Sequence, residues 1–366
     1  MLRTRDTDKL LILSTLALVM AGVVMVYSTS YIMAMNRFGD EYFFVKKHIV
    51  FTAVGVLCLA VAMKVPYTFY RKLTYPLLLV AVALLVCLYL PGVGLEAGGA
   101  RRWIKVAGFT FQPSEPAKLA VVIFLAYSLS AKAERIKTFA IGFLPNVLIP
   151  GVVILLILFE TDLGTAVTLS AVVLLMNFVA GVRLRYLAGL ALSGVGLGFA
   201  VIRNFSYMQD RIDIFLDPWK DPFGKGFQMV QSFVAFGSGG LAGVGLGEGK
   251  QKLFYLPEAH TDFILSVIGE ELGFIGVAAI VAFYIVFLLC GVRIASKAKG
   301  LYAKYLALGL TFMVVLQAVV NMGVVVGLLP PKGLPLPFVS YGGSSLLVSL
   351  VAVGILVNIF IKENEA

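Results

Sequence analysis

Residues 10–31 read LLILSTLALVMAGVVMVYSTSY, a run without one charged side chain. A helix needs about 20 apolar residues to cross the hydrocarbon core of a bilayer, so this stretch is long enough to span it. Arg3, Arg5 and Lys9 precede it, as the basic start of a secretory signal would, but the run is too long and lacks a convincing small-residue cleavage site. It is read as an anchor that stays. Similar runs fall near 48–65, 75–91, 116–131, 140–159, 164–181, 186–202, 263–292, 302–328 and 341–361. The chain therefore reads as one all-α polytopic membrane domain, 1–366. About ten transmembrane helices are expected, with one long extracytoplasmic loop, about 203–262, between helices seven and eight.

Composition agrees: of 366 residues 60% are hydrophobic and only 14% charged, and mean hydropathy is +0.96. A soluble domain carries about 25% charged residues, so a soluble protein and a single-anchor enzyme are both excluded. The net charge of +10 would suggest nucleic acid in a soluble chain. In a membrane protein, basic residues instead collect in cytoplasmic loops, and no nucleic-acid partner is expected. With the amino terminus inside, inner segments hold 16 Lys and Arg and the short outer loops 7. That division places both termini in the cytoplasm. Cys58, Cys87 and Cys290 lie in apolar runs and suggest no disulfide framework.

An ionised side chain near the bilayer centre costs roughly 2.5–3.5 kcal/mol on insertion scales, so those present need a reason. They gather toward the outer surface: Arg101, Arg102, Lys105, Glu115, Lys118, Glu160, Asp162, His260, Asp262, Glu270, Glu271 and Lys332. In GGARRWIKVAGFTFQPSEPAK, 98–118, the three cations and Trp103 suit an interfacial anchor. They equally suit an anion site, with Arg101 and Arg102 holding phosphate oxygens near a helix start. Glu115 and Lys118 stand three apart on one helical face and can pair. For Glu270 and Glu271 the expected partner is Lys118 or an arginine.

GVGLGEG, 243–249, nearly spells a dinucleotide fingerprint, but no strand precedes it and it would face outward. Its glycines more plausibly allow tight turns or close approach to a bulky ligand. The long loop closes on Pro257, Glu258, His260, Thr261 and Asp262 immediately before an apolar run. Asp262 there is either a capping acid or a general base. The last outer segment, LLPPKGLPLPFVSYGGSS at 328–345, holds four prolines and cannot be a continuous helix. A cavity lining, carrying Lys332 and the hydroxyls of Ser340, Ser344 and Ser345, is the expectation.

GGARRWI at 98–104, FQPSEPAK at 111–118, DLGTA at 162–166, GFQMVQS at 226–232, LPEAHTDFILSVIGEELG at 256–273 and LPLPFVSYGGSS at 334–345 together resemble the SEDS family of bacterial shape, elongation, division and sporulation proteins. PPKGLPLPFVSYGGSS resembles the division branch more than the elongation branch. One departure is Thr161, where the family pattern has proline.

The resemblance implies a polymerase of peptidoglycan glycan strands in the bacterial cytoplasmic membrane, acting in septal cell-wall synthesis. It would use lipid II by inverting glycosyl transfer and release undecaprenyl pyrophosphate. It also implies that Asp262 is the essential acid. Substrate-binding residues are expected among Arg101, Arg102, Glu115, Lys118, His260, Lys332 and Ser344. A divalent cation, Mg or Mn, is a further expectation, as are a class B penicillin-binding protein and divisome proteins as partners. The alternatives are an elongation polymerase, a lipid II flippase, or a division scaffold. The scaffold leaves the intramembrane charges unexplained, and outer-face clustering favours polymerisation over flipping.

Overall fold

The computed structural model describes residues 6–97, 100–106, 108–204, 206–252, 256–257 and 259–365. Gly98, Gly99 and Glu258 of the motifs above lie outside the described residues. In chain order the first helices are α1 (Thr7–Phe38), α2 (Phe43–Lys64), α3 (Tyr67–Lys72) and α4 (Thr74–Cys87). Three antiparallel strands follow, β1 (Gly94–Ala97), β2 (Ala100–Val106) and β3 (Phe109–Phe111), paired in the order β1-β2-β3. Next come α5 (Ser114–Ala131), α6 (Leu144–Phe159), α7 (Leu163–Val179), α8 (Leu184–Asn204), α9 (Ser206–Leu216) and α10 (Phe227–Gly239). The chain continues with α11 (Ile264–Glu271), α12 (Gly273–Lys297), α13 (Leu301–Val325) and α14 (Gly343–Glu365).

Each of the ten apolar runs holds a helix. Among the described residues, α1, α2, α5, Phe139–Phe159, α12, α13 and α14 are long and apolar enough to cross a membrane, and α4 and α7 are shorter apolar helices. The chain is a multi-pass membrane protein. In their apolar windows α14, α5 and α13 are 83%, 72% and 67% buried, while α2 and α12 are 22% and 28% buried. The first three therefore form the centre of the bundle, and the others turn leucine and valine outward, where lipid replaces a protein partner.

Three sequence expectations are corrected. The run 263–292 is not one helix: Leu272 ends α11, and Gly273, at φ 65, starts α12. Left-handed backbone is inexpensive for glycine, and this residue sets the break. The segment 203–262 is not a plain loop, because α9, a 3-10 turn at Pro218–Lys220 and α10 lie within it. Finally, 94–111 is a small sheet in an otherwise helical protein. Its strands pair antiparallel, with a register shift between Leu95 and Glu96 where β1 meets β2.

Candidate active site

The site is built on α11, whose eight residues are all buried. Phe263 occupies its cap position, so Asp262 stands one residue outside the helix and is not the capping residue. Three consecutive carbonyls before α11 are held. Tyr341 N–H donates to the His260 oxygen (2.9 Å), Ser340 Oγ to the Thr261 oxygen (2.5 Å) and Asn321 Nδ2 to the Asp262 oxygen (2.8 Å). The Asn321 amide also donates to the Leu334 carbonyl (2.6 Å), and Ser340 Oγ accepts from Leu336 N–H (2.8 Å). The proline-rich segment expected to line a cavity is thus the support that fixes the Asp262 backbone. A carboxylate on a fixed backbone loses little orientation on meeting a substrate.

Gly333 lies against the Asp262 side chain: a Cβ there would stand 2.9 Å from Oδ2. Lys332 is its chain neighbour and is half-buried. Burial, and secondarily the Arg211 guanidinium, pull its ammonium below the ordinary lysine range. Arg211 Nη1 donates to the Pro331 carbonyl (2.6 Å). The His260 ring is buried beside Phe44 (4.8 Å between centroids) and Tyr341 (5.7 Å).

Other expected substrate ligands have structural partners. Lys118 and Glu115, 3% and 2% exposed, pair at 2.9 Å. Lys118 Nζ also donates to Gln317 Oε1 (2.5 Å), whose amide donates to the Pro335 carbonyl (2.9 Å) and Ser345 Oγ (3.3 Å). This node ties α5 and α13 to the proline-rich segment. Ser344 Oγ accepts from Gln112 N–H (2.9 Å), and Gln112 Nε2 donates to Asp162 Oδ2 (3.2 Å). Asp162 caps α7, accepting from Thr165 N–H (3.1 Å) and Thr165 Oγ1 (2.8 Å).

Arg101 and Arg102 are consecutive on β2, where the pairing with β1 shifts register between Leu95 and Glu96. Arg102 donates to the carbonyls of Glu160 (3.2 Å) and Thr161 (2.7 Å), clamping the corner between α6 and α7. Within that corner the Glu160 carboxylate is 2% exposed, and neither oxygen has a hydrogen-bond partner. Burial, then the Asp162 charge, push it up to about 8, against a smaller lowering by Arg102.

The partner expected for Glu270 and Glu271 is also corrected. Glu271 pairs with Lys252 (2.6 Å) at 0% and 1% exposure and accepts from Ser28 Oγ (2.8 and 2.7 Å). Glu270 accepts the backbone N–H of Lys250 (2.8 Å) and of Gln251 (3.2 Å). Lys252 was hidden because it sits in a loop sequence with no visible period. The glycine-rich stretch wraps this end of α11: Val244 and Gly245 N–H donate to the carbonyls of Glu270 and Glu271, both at 3.0 Å. A Cβ at Gly243 would meet the Glu271 carbonyl, so close backbone approach explains that glycine.

The family model described as "Cell cycle protein", covering FtsW, RodA and SpoVE, matches residues 8–365. The chain belongs to this family. Among SEDS relatives, "Probable peptidoglycan glycosyltransferase FtsW" of Geobacter sulfurreducens is 48% identical over 96% of this chain and 94% of its own length. "Stage V sporulation protein E" of Bacillus subtilis is 43% identical over 96% of both. One solved SEDS-like chain, described as "Structural coordination of polymerization and crosslinking by a peptidoglycan synthase complex", superposes with TM-score 0.80 at 29% identity, covering 97% of this chain and 98% of that one. The rod shape determining protein RodA of Thermus thermophilus gives 0.70 at 27% identity, covering 96% of each.

Proposed function

We infer that the chain is a peptidoglycan glycosyltransferase that polymerises glycan strands from lipid II in septal wall synthesis, with Asp262 as general base. The observation carrying this is the placement of Asp262: outside the start of α11, its carbonyl and the two before it held by hydrogen bonds, its carboxylate against Gly333. The carboxylate takes the proton of the acceptor sugar's 4-hydroxyl. That oxygen bonds to the donor's anomeric carbon as the carbon–oxygen bond to phosphate breaks. The α-linked phosphate becomes a β-glycoside, and undecaprenyl pyrophosphate leaves with the bond's electron pair. Lys332 supplies positive charge where the leaving oxygen becomes anionic. Arg101, on the outer sheet, remains a further candidate contact to the donor.

A divalent cation, Mg or Mn, stays a proposal: such an ion needs only one or two carboxylates beside substrate phosphates, and Asp262 would supply one. Among the described residues no three His, Cys, Asp or Glu side chains gather to hold one, and no step is routed through it. Glu115, Lys118 and Ser344 act by holding the proline-rich segment, and His260 by packing under Tyr341.

The protein is read as one integral domain in the bacterial cytoplasmic membrane with both termini inside, on the division of 16 inner against 7 outer cations. A class B penicillin-binding protein, within the divisome, is the proposed partner. The support is the solved neighbour whose description couples polymerisation with crosslinking. The division role rests on the FtsW name of the Geobacter relative and on Lys332 before Gly333. Purified chain, with and without the transpeptidase, should convert lipid II into glycan strands; translocation of lipid II without strand formation would support the flippase instead.

A further inference from the structure

The Phe44 ring, in the first turn of α2, stands 4.8 Å from the ring of His260. From there α2 runs on to Lys64, about 30 Å further along its axis. At that end, across the bundle from the proposed active site, the chain turns through α3 into α4. The last turns of α14 meet it there: Asn358 Oδ1 accepts from Tyr67 N–H (2.8 Å) and Glu363 Oε1 from Tyr67 Oη (2.5 Å).

Lys64, Arg71 and Lys72 stand exposed in this turn, and none has an ion-pair partner among the described residues. Arg71 is the one that is held in place. Its guanidinium carbon lies over the rings of Tyr127, near the end of α5 (6.0 Å to the centroid), and Tyr302, at the start of α13 (5.9 Å). No acceptor among the described residues takes up its N–H groups. Glu363, the acid on Tyr67, already accepts from the Tyr67 hydroxyl and from Lys299 N–H (2.6 Å). Aromatic rings orient a guanidinium without using its in-plane donors, and that planar fork matches phosphate oxygens in two-point fashion.

The surroundings select the kind of phosphate. Tyr75 packs against the Tyr127 ring at 5.8 Å and is itself 57% exposed. Leu79, four residues on and so on the same face of α4, is 71% exposed. Phe69, on α3, is 48% exposed. In a multi-pass membrane protein these side chains meet lipid. The oriented cation therefore continues into an apolar strip one turn deeper, with aromatic rings at the level where headgroup gives way to acyl chain. A soluble anion would use the cation and leave the strip unused.

We propose that Arg71, seated on Tyr127 and Tyr302, binds the phosphate of an anionic phospholipid in the leaflet opposite the active site, with an acyl chain along Tyr75 and Leu79. On the topology proposed above this is the cytoplasmic leaflet. The bound lipid joins the α3 turn to α5 and α13. The assignment rests on the membrane-spanning fold and is independent of the glycosyltransferase reading. Free phosphate offers the same oxyanion and is the competing source.

The test titrates the full chain in neutral detergent with phosphatidylglycerol and counts bound lipid by native mass spectrometry, with phosphatidylcholine and inorganic phosphate as comparison probes. Phosphatidylglycerol should bind in preference to phosphatidylcholine, and inorganic phosphate at equal concentration should not displace it. Arg71→Gln should weaken phosphatidylglycerol binding roughly tenfold, the loss of one charge-assisted contact. Arg71→Lys, keeping the charge but not the fork, should fall between the two, and it decides should Arg71→Gln fail to fold. Lys137→Gln removes an exposed cation from the connection between α5 and α6, on the same side of the bundle, and should bind as the unaltered chain does. Equal binding of phosphatidylcholine, displacement by inorganic phosphate, an equal loss in Lys137→Gln, or unchanged binding in the folded Arg71 variants overturns the proposal. Absence of glycan synthesis by the unaltered chain would overturn the glycosyltransferase reading and leave this binding result as it stands.

Discussion

Oδ2 of Asp262 stands 2.9 Å from the position that a Cβ on Gly333 would occupy. A Cβ there would press on the end of the Asp262 side chain, and the pair couples the proline-rich segment to the proposed base. Gly333→Ala should leave the protein folded and turn the carboxylate away. Polymerisation should fall about tenfold or more, because small misplacements of a reacting group cost that much. Turnover measured at saturating lipid II checks it; an unchanged rate would show that the carboxylate position does not matter.

Lys252 and Glu271 form a buried pair joined by Ser28, linking α1 to the end of α11. Removing one partner strands the other charge, at a cost of about 3–5 kcal/mol. Lys252→Met should lower thermal stability in detergent accordingly, and adding Glu271→Leu should recover most of the loss. Equal losses in the single and double variants would mean the two are not coupled.

Thr161 adopts φ 61, a left-handed conformation, and its N–H donates to the Leu158 carbonyl at 2.9 Å. Proline, the residue in the family pattern, satisfies neither condition, so this corner takes its own path. Thr161→Gly should raise stability by up to about 1 kcal/mol, the backbone strain relieved less the extra chain entropy. Thr161→Pro should lower it. Thermal unfolding of the two variants decides the sign.

Glu160 is pushed up to about 8 from an ordinary value of 4.5. Between those values the folded chain holds a proton that the unfolded chain has lost, so stability falls as pH rises through this window. Above pH 8 the full penalty of a buried charge is present. Glu160→Gln should flatten this slope and be more stable than the unaltered chain at pH 9 by on the order of 1–2 kcal/mol. Parallel pH profiles for both proteins would contradict the assignment.

Much of this molecule was legible as sequence. Unbroken apolar runs such as 10–31 located the helices, and Asp262 was singled out because an acid before an apolar run is conspicuous. The division of α11 from α12 was not, because Leu272-Gly273 sits in continuous apolar sequence and only the backbone angle of Gly273 marks the break. Gln317 and Asn321, uncharged amides in an apolar helix, carry no periodic signal, and Gln112 stands in the short link before α5; the importance of all three lies in contacts across the bundle. Arg101 and Arg102 read as one anion clamp, and the two carbonyls that Arg102 holds lie far off in sequence, where no motif points to them.

Asp262 is the centre of the account, and Asp262→Asn tests it with one atom type exchanged. The amide keeps the size of the side chain, and the bonds to the His260, Thr261 and Asp262 carbonyls do not involve it. Glycan polymerisation from purified lipid II should fall on the order of 100-fold or more, as expected for loss of a general base, with thermal stability close to that of the unaltered chain. A stable, folded Asn variant that polymerises lipid II at a near-normal rate would contradict the assignment.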